Sequence, residues 1–257
     1  MNNLLITIPA AIIPSVLLLW FFYSRDKYPE PPRVVFATFG LGVLTVIPVL
    51  VVALPLGFAL QLVDNPLIFG LGMGSLAAGI PEEFFKFLVI YLYCMRHSAF
   101  DEPMDGLVYG ATASLGFATL ENIMYCSQGG LIIAIVRALT AVPMHATVGA
   151  IMGYYCGRAR FTPEKRGSLL LAAYCIPMLL HSLYDFPLLA MMKYFGTKYA
   201  PQDGVTPEVA PIDGLYALGG IGFAFLMLLI SVVMAIVLAY KMKKLQTHAP
   251  APLPEAL

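Results

Sequence analysis

Glu82 and Glu83 stand side by side near the middle of the apolar run Pro66–Met95. Adjacent carboxylates in such a run can take a proton from water, ligate a metal or relay protons, and side-chain packing alone has no use for them. If the run spans a bilayer, each charged acid at its centre costs at least ~2.5–3.5 kcal/mol on insertion scales, which makes the pair a functional-site candidate by default. Lys86 follows at i+4 from Glu82 and i+3 from Glu83, within reach of either on a helix. One ammonium offsets one acid, so the other must be paired elsewhere or put to work. Pro81 removes a backbone hydrogen bond and predicts a kink just before the acids, and Gly79 lets a neighbouring helix approach closely.

Further polar side chains lie in other apolar runs. Glu121 and Asn122 fall in the fourth run, and Arg137, in the fifth, is at a depth from which it can pair with Glu121 and fix the two helices together. The chain has four histidines, and only His145 and His181 lie deep in predicted helices. A lone buried histidine is usually a core residue, but two at similar depth beside a glutamate pair suggest shared chemistry. Asp185, one turn beyond His181, can accept a ring N–H and fix its tautomer, or can serve instead as the partner of Arg137.

Two glutamates, two histidines, a further acid and an amide supply what peptide-bond hydrolysis requires. A carboxylate takes a proton from water, an imidazole binds the carbonyl oxygen or protonates the leaving amine, and an amide completes an oxyanion site. No serine or cysteine is set up as a nucleophile; Ser182 adjoins His181, but i and i+1 do not face each other on a helix. Glu82, Glu83, His145 and His181 could instead hold Zn²⁺ with an open water position. Sequence alone leaves direct carboxylate activation and metal activation both open.

The elements that must position these groups are membrane helices. Of 257 residues, 60% are hydrophobic and 12% charged, and the mean hydropathy is +0.82, which excludes a water-soluble globule. Runs of the length a bilayer demands cover roughly Leu4–Tyr23, Val34–Leu60, Pro66–Met95, Met104–Ser127, Leu131–Gly157, Ser168–Met192 and Leu215–Tyr240. The expected fold is therefore an all-α, polytopic bundle of about seven transmembrane helices, one domain over residues 1–244 with a Pro-rich disordered tail over 245–257. The first run has no basic stretch before it and no small-residue cleavage site after it, so it is expected to be a retained helix.

Arg25, Lys27, Arg33, Arg96, Arg158, Arg160, Lys165, Arg166, Lys241, Lys243 and Lys244 fall on one side of this arrangement, and only Lys193 and Lys198 on the other. The positive-inside rule then places the N-terminus outside and the C-terminus inside. A net charge of zero without an aromatic-laced basic stripe excludes nucleic acid as a partner. Cys94, Cys126, Cys156 and Cys175 have no metal or disulfide spacing and read as packing residues. Asp105, in Phe100-Asp101-Glu102-Pro103-Met104-Asp105-Gly106, reads as part of a helix start. The loop Lys193–Asp213, with Asp203 and Glu208, is the one sizeable outside segment.

Pro-Glu-Glu-Phe-Phe-Lys (81–86), Phe-Asp-Glu-Pro-Met-Asp-Gly (100–106), Phe-x-x-x-Glu-Asn (117–122), His-x-x-x-Gly (145–149), His-x-x-x-Asp (181–185) and the Tyr-Pro-Glu-Pro loop (28–31) together resemble the ordered motifs of the PrsW family. The resemblance runs from about Arg25 to Asp185, a core of roughly 25–190. PrsW proteins are intramembrane proteases related to the CaaX-processing prenyl proteases and bacteriocin-processing enzymes, described either as glutamic-type or as metalloproteases. The best-known members make the first cut, near the outer face, in a single-pass anti-sigma factor. The resemblance implies Glu82 and Glu83 as the water-activating pair, His181 as essential partner, and His145, Glu121, Asn122 and Asp185 as the supporting shell. It also implies a single-pass membrane protein or peptide as substrate, in a bacterial or archaeal plasma membrane.

Two rivals make different predictions. A proton-coupled transporter or ion pathway using the same acids and histidines needs a polar lining through the full membrane depth. A scaffold with purely structural ion pairs needs balance, whereas Glu82, Glu83, Glu121 and Asp185 face only Lys86 and Arg137.

Overall fold

The structure, a computed structural model, describes residues 4–199 and 210–246. All regular structure among these residues is helical: α1 (Leu4–Ser24), α2 (Pro32–Leu44), α3 (Val46–Leu60), α4 (Pro66–Gly72), a π-helical turn (Met73–Gly79), α5 (Ile80–Leu92), α6 (Pro103–Leu139), α7 (Ala141–Phe161), α8 (Arg166–Lys198) and α9 (Pro211–Gln246), with short 3-10 turns between some of them. Five stretches are long and apolar enough to cross a bilayer, and one of them, Pro103–Phe161, is 59 residues long. At 1.5 Å per residue that stretch measures about 88 Å, far beyond one ~30 Å hydrocarbon layer. It folds back at Gly130, whose φ of 67° and ψ of −159° fall where a side chain is disfavoured. Outward-facing apolar side chains such as Trp20, Phe36 and Tyr240 form a surface suited to lipid. The molecule is a polytopic helical membrane bundle, as its composition requires.

Three runs expected as single helices are broken, each for a local reason. Val34–Leu60 divides at Thr45, where the Thr45 hydroxyl donates to the Gly42 carbonyl at 2.6 Å and Pro48 offers no N–H to the Leu44 carbonyl. The run containing the acid pair loosens into the π-helical turn, with the Ile80 N–H reaching back five residues to the Ser75 carbonyl. Pro81, immediately after, cannot donate to the Ala77 carbonyl, so the wide turn ends where the kink was expected. The fifth run begins later than its composition suggests: residues 131–139 form a return arm of α6, and α7 starts only after a second break at Thr140. Arg137 rides on this arm.

Small residues set the distances between helices. α6 and α7 touch through Gly106, Gly110, Gly149, Gly153 and Gly157, and a Cβ added at Gly153 would meet the Gly106 carbonyl. Gly153→Val therefore forces two backbones apart. It is expected to cost about 1–3 kcal/mol and to lower the unfolding temperature measured in detergent; an unchanged temperature would mean that these helices do not touch there. Gly74 is held against α8 in the same way, where a Cβ would lie 2.9 Å from the Phe186 backbone nitrogen. That contact presses the π-helical turn onto α8 and brings the first turn of α5 to His181.

The loop expected between Lys193 and Asp213 is shortened by its flanking helices, since α8 runs to Lys198 and α9 starts at Pro211. Asp213 ties the two together, accepting from Tyr194 at 2.7 Å, from Lys198 at 2.8 Å and from Tyr199. Asp203, Glu208 and the Pro-rich end, residues 247–257, lie outside the described residues.

Candidate active site

The acid pair stands in the first turn of α5, directly after the π-helical turn. Glu83 points inward and is 0% exposed. Its Oε1 lies 2.7 Å from Lys86 Nζ and 2.8 Å from His181 Nδ1, and its Oε2 is buried with no hydrogen-bond partner. Glu82 turns the other way and lines a cavity of about 600 Å³. Its Oε2 lies 3.3 Å from Lys86 Nζ and 3.9 Å from His181 Nε2. The two acids are adjacent in sequence but unequal in space: one meets the cavity and the other backs a histidine.

Lys86 organises the cluster. Its ammonium has three N–H donors, and three acceptors surround it: Glu83 Oε1 at 2.7 Å, Glu82 Oε2 at 3.3 Å and His145 Nδ1 at 3.1 Å. The Phe117 ring closes the remaining side, its centroid 4.2 Å from Nζ. Because an ammonium can only donate, His145 Nδ1 must accept, so its proton resides on Nε2. From there it donates to Glu121 Oε2 at 2.9 Å. His145 is thereby held as the neutral Nε2–H tautomer.

Glu121 also accepts from Arg137 Nη2 at 2.6 Å, the pairing expected from sequence, and Arg137 stacks over Tyr125 with its guanidinium carbon 4.2 Å from the ring centroid. Asp185 is not the partner of Arg137; its Oδ2 lies 3.3 Å from His181 Nε2. The His145 and His181 rings meet edge to face, with centroids 5.0 Å apart. Asn122 is the exception among the expected residues. Its amide nitrogen donates to the Ala11 carbonyl at 2.8 Å and its oxygen accepts from Arg137 Nε at 2.8 Å, so the amide anchors α1 and Arg137 and contributes no donor to an oxyanion site.

The structure thus brings Glu82, Glu83, Lys86, Glu121, His145, His181 and Asp185 into one connected network, with Arg137 at its edge and Asn122 behind it. Glu82, Glu121, Arg137, His145, His181 and Asp185 all border the cavity. The opposite wall is apolar and comes from α3, through Val49, Leu50, Ala53 and Phe58. Sequence reasoning carried Phe117 only as part of the Phe-x-x-x-Glu-Asn motif and gave it no role beside Lys86, although its position one turn before Glu121 was a usable signal.

A family model described as "PrsW family intramembrane metalloprotease" matches residues 30–205. "Protease PrsW" of Geobacillus kaustophilus is 43% identical over 188 residues, which cover 73% of this chain and 81% of that protein. The protein of the same description from Bacillus subtilis is 41% identical, covering 73% and 84%. That from Clostridioides difficile is 32% identical, covering 70% and 77%. These relatives are bacterial, and nothing among them supports the archaeal alternative. No solved structure matches the chain.

Proposed function

Since the chain belongs to the PrsW family of intramembrane proteases, we propose that it hydrolyses a peptide bond of a single-pass, membrane-anchored substrate near the outer face, with Glu82 as the base that activates water. The observation that carries this reading is the unequal placement of the two acids. Glu82 borders the cavity, while Glu83 is fully enclosed and holds His181 through Nδ1. In this reading Glu82 accepts a proton from water as the oxygen attacks the carbonyl carbon. His181 Nε2, 3.9 Å from Glu82, faces the carbonyl oxygen and then gives a proton to the leaving amine. Glu83 and Asp185 orient that ring; Lys86 and Glu121 orient His145 beside it.

The family description also implies a metal. One ligand atom each from Glu82, Glu83, His145 and His181 fall within 4.8 Å of one another, and the donor types suit Zn²⁺. The arrangement around them does not fit the ion. Lys86 Nζ is 2.7–3.3 Å from three of the four residues, at the place a shared cation would take. Both nitrogens of His145 are engaged, by Lys86 and Glu121, and His181 Nδ1 is engaged by Glu83. With the Lys86 ammonium at that place, the steps are derived from the protein's own acids and bases.

The same reading includes the topology: about seven crossings, N-terminus outside, with Pro66–Leu92 as the broken crossing, the first arm of α6 as one crossing and its short return arm together with α7 as the next. The apolar wall from α3 favours a substrate side chain or helix end over an ion pathway, which would need polar walls on both sides. The test is incubation of the purified protein in proteoliposomes with a library of single-pass peptides, followed by mass spectrometry of the products. One cut in the outer half of the spanning segment is expected. Release of a full-length peptide together with a proton flux across the vesicle would favour the transporter.

A further inference from the structure

A second buried acidic cluster lies at the far end of α6 from the candidate active site. Asp105 and Glu121 are on the same straight arm of α6 and sixteen residues apart, about 24 Å at 1.5 Å per residue. Asp105 is 0% exposed, Glu30 3% and Asp26 7%, and one carboxylate oxygen from each comes within 4.8 Å of the others. Asp26 and Glu30 come from the loop between α1 and α2, while Asp105 comes from the first turn of α6.

Most of the neighbouring donors have identified tasks that leave the centre of the cluster open. Asp105 Oδ2 accepts the Glu102 backbone N–H at 2.7 Å, the helix-start role expected from sequence. Its other oxygen, Oδ1, is buried with no hydrogen-bond partner. Tyr109 donates its hydroxyl to Glu30 Oε2, and the Tyr28 N–H donates to Asp26 Oδ1 at 3.1 Å. Glu30 and Asp105 form no salt bridge with any described basic residue. The nearby cations are turned elsewhere: Arg25 over Phe21, Lys27 over Tyr28, and Arg160 onto the Met95 and His97 carbonyls. Burial of this many acids without a basic partner for two of them is unfavourable unless a cation joins them or they share protons.

We propose that Asp26, Glu30 and Asp105 form a site for a hard divalent cation of the Mg²⁺ or Ca²⁺ class, joining the α1–α2 loop to the start of α6. Carboxylate oxygens are the ligands such ions take, and a 4.8 Å spread accommodates metal–oxygen distances of about 2.0–2.6 Å. No catalytic role is assigned to it. Its effect is on the mounting of α6, the helix that carries Phe117, Glu121 and Arg137.

The test uses the full-length protein in detergent and terbium as the probe, excited through tyrosine, because Tyr109 bonds directly to a proposed ligand. Saturable emission at one ion per chain is expected, displaced by Ca²⁺ or Mg²⁺. Affinity should fall about tenfold or more in Glu30→Gln and in Asp105→Asn, and should be retained in Glu82→Gln, which separates this site from the active-site cluster. Tyr109→Phe should dim the emission while Ca²⁺ binding, read by calorimetry, persists. Absence of saturable binding to the wild type would mean that the acids share protons instead and would overturn the proposal. So would binding that is lost in Glu82→Gln, or kept in both the Glu30 and Asp105 variants.

Discussion

Glu82→Gln is expected to lower turnover by about 10²–10⁴-fold with little change in KM or in the unfolding temperature, because it removes a base and leaves its surroundings intact. A glutamine oxygen still accepts from Lys86, 3.3 Å away, and the side chain keeps its place on the cavity wall. The neighbouring substitution behaves differently. In Glu83→Gln the new N–H₂ enters a pocket where Oε1 serves two donors and Oε2 has no partner. Activity then falls through misorientation of His181, and stability falls with it. Steady-state cleavage rates paired with thermal unfolding of both variants separate the roles. Equal loss of stability in the two would contradict the assignment of Glu82 to the cavity and Glu83 to the support.

Removing the ammonium should have the largest structural effect. Lys86→Met keeps most of the side-chain volume but leaves Glu82 and Glu83 without their shared cation and His145 Nδ1 without a donor. An uncompensated buried charge costs about 3–5 kcal/mol, so the variant should unfold well below the wild type and show no turnover. Adding Glu83→Gln to Lys86→Met removes one of the stranded charges and should restore part of the stability without restoring cleavage. Normal stability of Lys86→Met alone would mean that the ammonium does not hold the cluster together.

Much of this was legible in the residues themselves. Glu82, Glu83, Lys86, His145 and His181 stand out because each is expensive in an apolar run, and that cost is a property of sequence and surroundings that needs no coordinates. Class of fold followed from hydropathy alone. What spacing could not supply was direction. Adjacent residues on a helix point about 100° apart, so Glu82 and Glu83 had to diverge, but only the packing of the π-helical turn on α8 decides which one meets His181 from behind. Asn122 shows the same limit: an amide beside a buried acid could complete an oxyanion site, yet its nitrogen is held by a carbonyl of α1 and its oxygen supports Arg137, the partner of Glu121. Helix breaks at Thr45 and Thr140 were invisible to hydropathy because the apolar composition continues through them. The buried state of Asp26, Glu30 and Asp105 was hidden for a related reason, since residues near helix ends are expected to be solvated and only the α1–α2 loop folding over α6 covers them.

The central claim is that carboxylate chemistry at Glu82, organised by Lys86, cleaves the peptide bond. The most direct measurement is the cleavage rate of one single-pass substrate by purified wild type and by Glu82→Gln, each with and without a strong, zinc-selective chelator. The account predicts a wild-type rate unaffected by the chelator and essentially no cleavage by Glu82→Gln in either condition. Loss of wild-type cleavage on chelation with recovery on adding Zn²⁺, or normal cleavage by Glu82→Gln, would contradict it.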